Sequence, residues 1–128
     1  MSNIIELSPL NHTWIFDIDG TLVKHNGYKI DGIDTLLPGV KDFFDNNIKD
    51  DDYVLLVTSR DEKYKNITEL FLKKEKIRFN KIIYNLPYGE RILINDCKPS
   101  GLQMSLAINT NRDEFMDDKF IINNELWY

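Results

Sequence analysis

Short, continuous apolar runs alternate along this chain with stretches of helical spacing. Thr13 to Ile18 carries Trp14, Ile15 and Phe16 in a row, and Tyr53 to Val57, Lys81 to Tyr84, Arg91 to Ile94 and Ser105 to Ile108 are comparable runs. Apolar runs of this length, bounded by polar residues, predict parallel strands buried on both faces. Between them, Val40, Phe43, Phe44 and Ile48 recur at helical spacing just after Pro38-Gly39. Tyr64, Ile67, Leu70 and Phe71 repeat that spacing, with Lys65, Glu69, Lys73 and Lys74 on the opposite, solvated face. Such stripes predict amphipathic helices. Pro99 to Met104 has room for a short third helix. Strands alternating with helices predict an α/β fold with a parallel sheet wound in right-handed βαβ units. Ligands of such sheets bind beyond the carboxyl ends of the strands.

The length of 128 residues predicts a single domain, 1–128. Apolar residues at 42% and charged residues at 29% exclude a disordered tail, a collagen and a coiled coil. No apolar run approaches a membrane span, and the N-terminus lacks the basic-then-apolar order of a secretory signal. The lone Cys97 has no internal disulfide partner, which fits a reducing, cytoplasmic setting. A net charge of −5 argues against a nucleic-acid partner. An acidic protein that binds phosphates must concentrate cations locally, often with a divalent metal.

Polar residues gather where the strands are expected to end. The first run leads straight into Asp17-Ile18-Asp19-Gly20-Thr21. Carboxylates two positions apart on a strand point the same way. They repel unless a cation lies between them or one takes a proton. Gly20 permits a positive φ where the chain leaves the sheet. The second run ends Val57-Thr58-Ser59-Arg60: hydroxyls that can cap a helix or meet a phosphate, and a guanidinium whose forked donors suit an oxyanion. The fourth ends Asn95-Asp96-Cys97-Lys98-Pro99-Ser100-Gly101, bringing a third carboxylate to the same expected edge. Three carboxylates with no His/Cys cluster favour Mg²⁺ over zinc. His12 has no assigned role, and Asp50-Asp51-Asp52 reads as a solvated turn.

Asp17-x-Asp19-Gly20-Thr21, an apolar strand ending in Thr58, and a later one ending in Asn95-Asp96 together resemble the haloacid dehalogenase (HAD) superfamily of aspartate-nucleophile phosphatases, over roughly residues 11–110. The stretch from Asn95 to Gly101 further resembles small HAD-like phosphatases of bacterial capsule and surface-polysaccharide loci. The resemblance implies a Rossmann-like three-layer sandwich around a five-stranded, mostly parallel sheet. Only Leu22 to Leu37 and Asn85 to Glu90 lie where relatives insert a cap, so it implies the capless subclass with an open site.

It also implies roles. Asp17 is the nucleophile that forms an aspartyl-phosphate, and Asp19 the general acid/base. Mg²⁺ is held by the Asp17 carboxylate, the Asp19 carbonyl and Asp96. Thr58, the Ser59 backbone N–H and a lysine bind the phosphoryl oxygens beside the Arg60 guanidinium noted above, and Thr21 buttresses the loop. Relatives usually carry that lysine before the last acidic motif. Here Lys98, just past Asp96, is expected to serve, because Lys73, Lys74, Lys76 and Lys81 fall toward the opposite edge. Lys24, His25, Tyr28 and Asn95 are candidate substrate contacts. The expected reaction is Mg²⁺-dependent hydrolysis of a small sugar phosphate or related metabolite. A phosphatase of polynucleotides or phosphoproteins and a non-catalytic scaffold are the alternatives. Capless relatives often form homo-oligomers, and Leu126-Trp127-Tyr128 offers an apolar segment for a partner or for its own domain.

Overall fold

The computed structural model describes residues 3–128. It is an α/β fold whose elements run β1 (Ile4–Leu7), β2 (Thr13–Asp17), α1 (Gly27–Ile30), α2 (Val40–Asn47), β3 (Tyr53–Val57), α3 (Lys65–Lys74), β4 (Lys81–Ile83) and β5 (Lys119–Ile122). These group into two compact units. One comprises 11–88 with 110–115; the other comprises the N-terminal residues through Leu10 with 89–109 and 116–128.

The first unit is built on a three-stranded parallel sheet of order β2-β3-β4. Trp14 pairs with Val54 and Asp17 with Val57, while Leu55 pairs with Lys81 and Val57 with Ile83. Asp17, Val57 and Ile83 therefore end the three strands side by side, and residues 18, 58 and 84 begin the loops at that edge. Helices α2 and α3 make the two crossovers between parallel neighbours. The core is apolar and largely aliphatic: Ile18, Leu22, Val23, Val40, Val54, Leu56, Leu72 and Ile77 are all buried. Burying side chains of this kind is the main source of stability. An aromatic cluster closes one side. Phe43 on α2 meets the ring edges of Trp14 at 5.4 Å and Phe115 at 5.5 Å, and Phe16 meets Phe44 at 5.0 Å. Phe115 thereby ties the 110–115 segment to this unit.

Helix α2 follows its apolar stripe, with Val40, Phe43 and Phe44 buried. Helix α3 does not. Its buried residues are Thr68 and Leu72, whereas Ile67 and Leu70 of the predicted stripe are exposed. Thr68 is turned inward by a polar requirement: its hydroxyl accepts a hydrogen bond from Arg60 Nη1 at 2.7 Å and donates to the Tyr64 carbonyl. The 3₁₀ turn before α3 is capped by Asp61, whose carboxylate accepts the Lys63 N–H, and not by Ser59.

Asp52 is not the solvated turn residue its neighbours suggest. It is 3% exposed, and its carboxylate accepts the backbone N–H groups of His12 and Lys49 and the Trp14 indole N–H, each at 2.9–3.0 Å. Burial alone would raise its pKa, but these three donors hold it below the usual carboxylate range.

In the second unit β1 and β5 pair in parallel, Ile4 with Lys119 through Leu7 with Ile122. The five strands thus divide between two small sheets instead of forming one. The predicted strands at Arg91–Ile94 and Ser105–Ile108 do not form, and neither does the helix at Pro99–Met104. Ile92 and Ile94 are 82% and 90% exposed, and the sheets among the described residues do not include these runs. Pro99-Ser100 instead form a turn that closes through Gly101 N–H to the Lys98 carbonyl, with Gly101 at φ 94°. Among the described residues, no helix is long and apolar enough to cross a membrane.

Candidate active site

The loop after β2 winds tightly around one carbonyl. Leu22 N–H and Val23 N–H both reach the Ile18 carbonyl, at 2.9 and 3.2 Å, and Gly20 N–H reaches the Val23 carbonyl at 2.7 Å. Ile18 is buried, so Asp17 and Asp19 lie on the other side of the chain, half-buried. Gly20 has φ 80°, which L-residues rarely adopt, and a Cβ there would come within 3.2 Å of Arg112 Cγ. Thr21 Oγ1 donates to Asp17 Oδ2 at 3.1 Å and fixes that carboxylate.

Behind β3, Thr58 is fully buried, and its hydroxyl accepts the Arg60 backbone N–H at 2.9 Å. This turns the chain so that the Arg60 side chain runs inward. Its guanidinium has five N–H donors, and all five are committed. Nε and Nη2 go to Asp19 at 3.2 and 2.7 Å, Nη1 and Nη2 to Asp34 at 3.0 Å each, and Nη1 to Thr68. The Tyr28 ring lies against the cation, 3.8 Å from Cζ to centroid. Burial works against the charged form, yet the bonds to Asp34 and Asp19 outweigh it and leave the Arg60 pKa raised. The expected oxyanion ligand is thus saturated by carboxylates and has no donor to offer a phosphate. Tyr28, an expected substrate contact, is buried beneath it, and its own pKa is raised by burial and by the Asp19 charge.

The remaining sequence candidates fall into two groups. In the first unit, Ser59 Oγ donates to the Pro87 carbonyl at 3.2 Å, and Lys24 pairs in solvent with Asp31 at 3.2 Å. The His25 N–H is held by Asp113 Oδ1 at 2.7 Å. In the other unit, the amide of Asn95 turns onto the Asp96 carbonyl at 3.0 Å, both residues being exposed. Lys98, expected to meet the phosphate, places its ammonium 4.5 Å from the centroid of the Tyr128 ring. Ser100 Oγ donates to the Trp127 carbonyl, so the C-terminal aromatic pair packs on this loop, although each residue is 56% exposed.

Three contributors carried no signal in the chain pattern. Asp34 lies in a polar stretch without periodicity, and its carboxylate is buried against Arg60. Asp113 N–H donates to the Gly20 carbonyl at 2.8 Å and its side chain holds His25, so a segment some ninety residues downstream braces the Asp17–Thr21 loop. Arg112 beside it lays its stem over Gly20 and is exposed.

As a metal site the donor set is partial. Asp17 and the Asp19 carbonyl are hard oxygen donors suited to Mg²⁺. The Asp19 carboxylate, however, faces Arg60, and among the described residues no three His, Cys, Asp or Glu side chains gather where they could hold a metal ion. Comparisons with protein-family models, with curated proteins and with solved structures return no match.

Proposed function

We propose that this protein hydrolyses phosphomonoesters through a covalent aspartyl-phosphate on Asp17, as a HAD-like phosphatase acting on a small phosphorylated metabolite such as a sugar phosphate. The observation that supports this most is the placement of Asp17 at the carboxyl edge of the parallel sheet. Its carboxylate is steered by Thr21, and Asp19 follows two residues on. Asp17 attacks phosphorus while the bond to the leaving oxygen breaks, and Asp19 gives that oxygen a proton. Water then attacks the acyl-phosphate, Asp19 takes a proton from it, the bond to Asp17 breaks and inorganic phosphate leaves. Asp19 must let go of Arg60 to do either. The carboxylate of Asp17 and the Asp19 carbonyl are the proposed holders of Mg²⁺ within this unit. When bound, the metal offsets repulsion between nucleophile and phosphate. A role in surface-polysaccharide synthesis and assembly into a homo-oligomer belong to the same proposal, resting on the Asn95–Gly101 resemblance and the exposed Trp127 and Tyr128.

One observation favours a second reading, a non-catalytic scaffold: both oxygens of Asp19 are taken by Arg60. Turnover of an aryl phosphate with Mg²⁺, compared between the wild type and Asp17→Asn, decides between them. Activity lost in the variant supports the phosphatase, and no activity in either supports the scaffold. A panel of sugar phosphates, nucleotides and phosphopeptides then separates a metabolite phosphatase from one acting on macromolecules.

A further inference from the structure

The Arg60 cluster contains one more carboxylate than holding Asp19 requires. The guanidinium is wholly inaccessible to solvent; of its two partners, the Asp34 side chain is 4% exposed and the Asp19 side chain 15%. The two carboxylates bind in the same bidentate manner but differ in freedom. Asp34 is enclosed, while Asp19 belongs to the loop that leaves the sheet. If Asp19 turned away from a guanidinium it alone neutralised, a buried cation would be stranded, which is strongly unfavourable. With Asp34 in place, Arg60 keeps a carboxylate, the Thr68 hydroxyl and the Tyr28 ring when Asp19 departs.

We propose that Asp34 is a positioning residue for Asp19: it anchors Arg60 independently, so that Arg60 holds Asp19 ready at rest yet releases it for proton transfer. This rests on the reading of Asp19 as the acid/base. Removing the Asp34 charge leaves Arg60 with Asp19 as its sole counter-ion and makes that release harder. The loss falls on the chemical step and spares substrate binding, because Asp34 touches neither substrate nor nucleophile.

The test compares wild type, Asp34→Asn and Asp34→Glu in steady-state hydrolysis of an aryl phosphate, with rates normalised to folded protein. Asp34→Asn is expected to lower kcat by at least about tenfold while KM stays within about twofold. Asp34→Glu, which keeps the charge, should recover part of the rate. If Asp34→Asn does not fold, Asp34→Glu carries the test, with a reduced kcat and an unchanged KM expected. A normal kcat per folded molecule in the variant measured would overturn the proposal and leave Asp34 a purely structural residue. If the wild type itself shows no turnover, the phosphatase reading fails, and NMR of ¹⁵N-arginine-labelled protein still decides the anchor. Slowly exchanging Arg60 Nη protons that survive Asp19→Ala and vanish in Asp34→Ala would support it. The reverse pattern would refute it.

Discussion

Arg60 grips Asp19 by both carboxylate oxygens, Nε to Oδ2 at 3.2 Å and Nη2 to Oδ1 at 2.7 Å. This pair links the two strand-end loops of the sheet: Asp19 follows β2 and Arg60 follows β3. The Thr58-Ser59-Arg60 segment therefore contributes to the site chiefly by fixing a carboxylate, whatever else its backbone binds.

Removing the cation should cost more than removing any one of its partners. Arg60→Ala leaves Asp34 buried and unpaired and Thr68 without its donor. It is expected to lower stability by about 3–5 kcal/mol in urea unfolding. A loss under about 1 kcal/mol would mean that the cluster is solvated in solution.

Much of this was legible in the chain pattern, and the failures have definite causes. β2 and β3 follow from continuous apolar runs, and α2 from its stripe. The turn at Gly20 follows from glycine after two carboxylates. The runs at Arg91–Ile94 and Ser105–Ile108 are also apolar, but a strand exists only where a neighbour supplies hydrogen bonds, and apolarity does not identify the neighbour. β1 and β5 carry no such signal because Ile4–Leu7 and Lys119–Ile122 are short edge pairs with five of their eight residues exposed. The buried face of α3 departs from its apolar stripe because a hydroxyl, Thr68, is drawn in by a guanidinium from another loop. The placement of Asp17 and Asp19 where β2 ends could be read from local order. Asp34, Asp52 and Asp113 could not, because their roles are set by partners distant in the chain.

Acid should weaken the fold through Asp52 and His12. Asp52 is depressed by its three donors, so its contribution is complete above the unfolded-state carboxylate pKa near 4 and is lost as pH falls through the lower folded-state value. The pKa of His12 is lowered by burial, though Asp52 opposes this and Lys49 adds to it. The unfolded chain therefore takes up the proton first, and stability begins to fall below about pH 6.5. Asp52→Asn is expected to cost about 1–3 kcal/mol at pH 7 and to flatten the stability curve below pH 5. An unchanged acid limb would contradict the assignment.

Gly20→Ala should be destabilising by about 1–2 kcal/mol, because φ 80° is unfavourable for an L-residue. The new methyl would also meet Arg112 Cγ at 3.2 Å, which that flexible side chain can relieve by moving. Gly20→Ala combined with Arg112→Ala should therefore regain little. Full recovery in thermal unfolding would show that contact, not φ, dominates.

Chelation should abolish turnover, with Mg²⁺ restoring it. Full activity in excess EDTA would remove the metal from the mechanism.

The proposed covalent step at Asp17 is tested most directly by trapping it. Asp19→Asn protein, mixed with an aryl phosphate and Mg²⁺ and quenched in acid, is mapped by mass spectrometry. The expected result is a phosphoryl adduct on Asp17 that accumulates because the second step lacks its base, and no adduct when Asp17→Asn is added. An adduct on another residue, or wild-type turnover with no adduct on Asp17 under any quench, would contradict it.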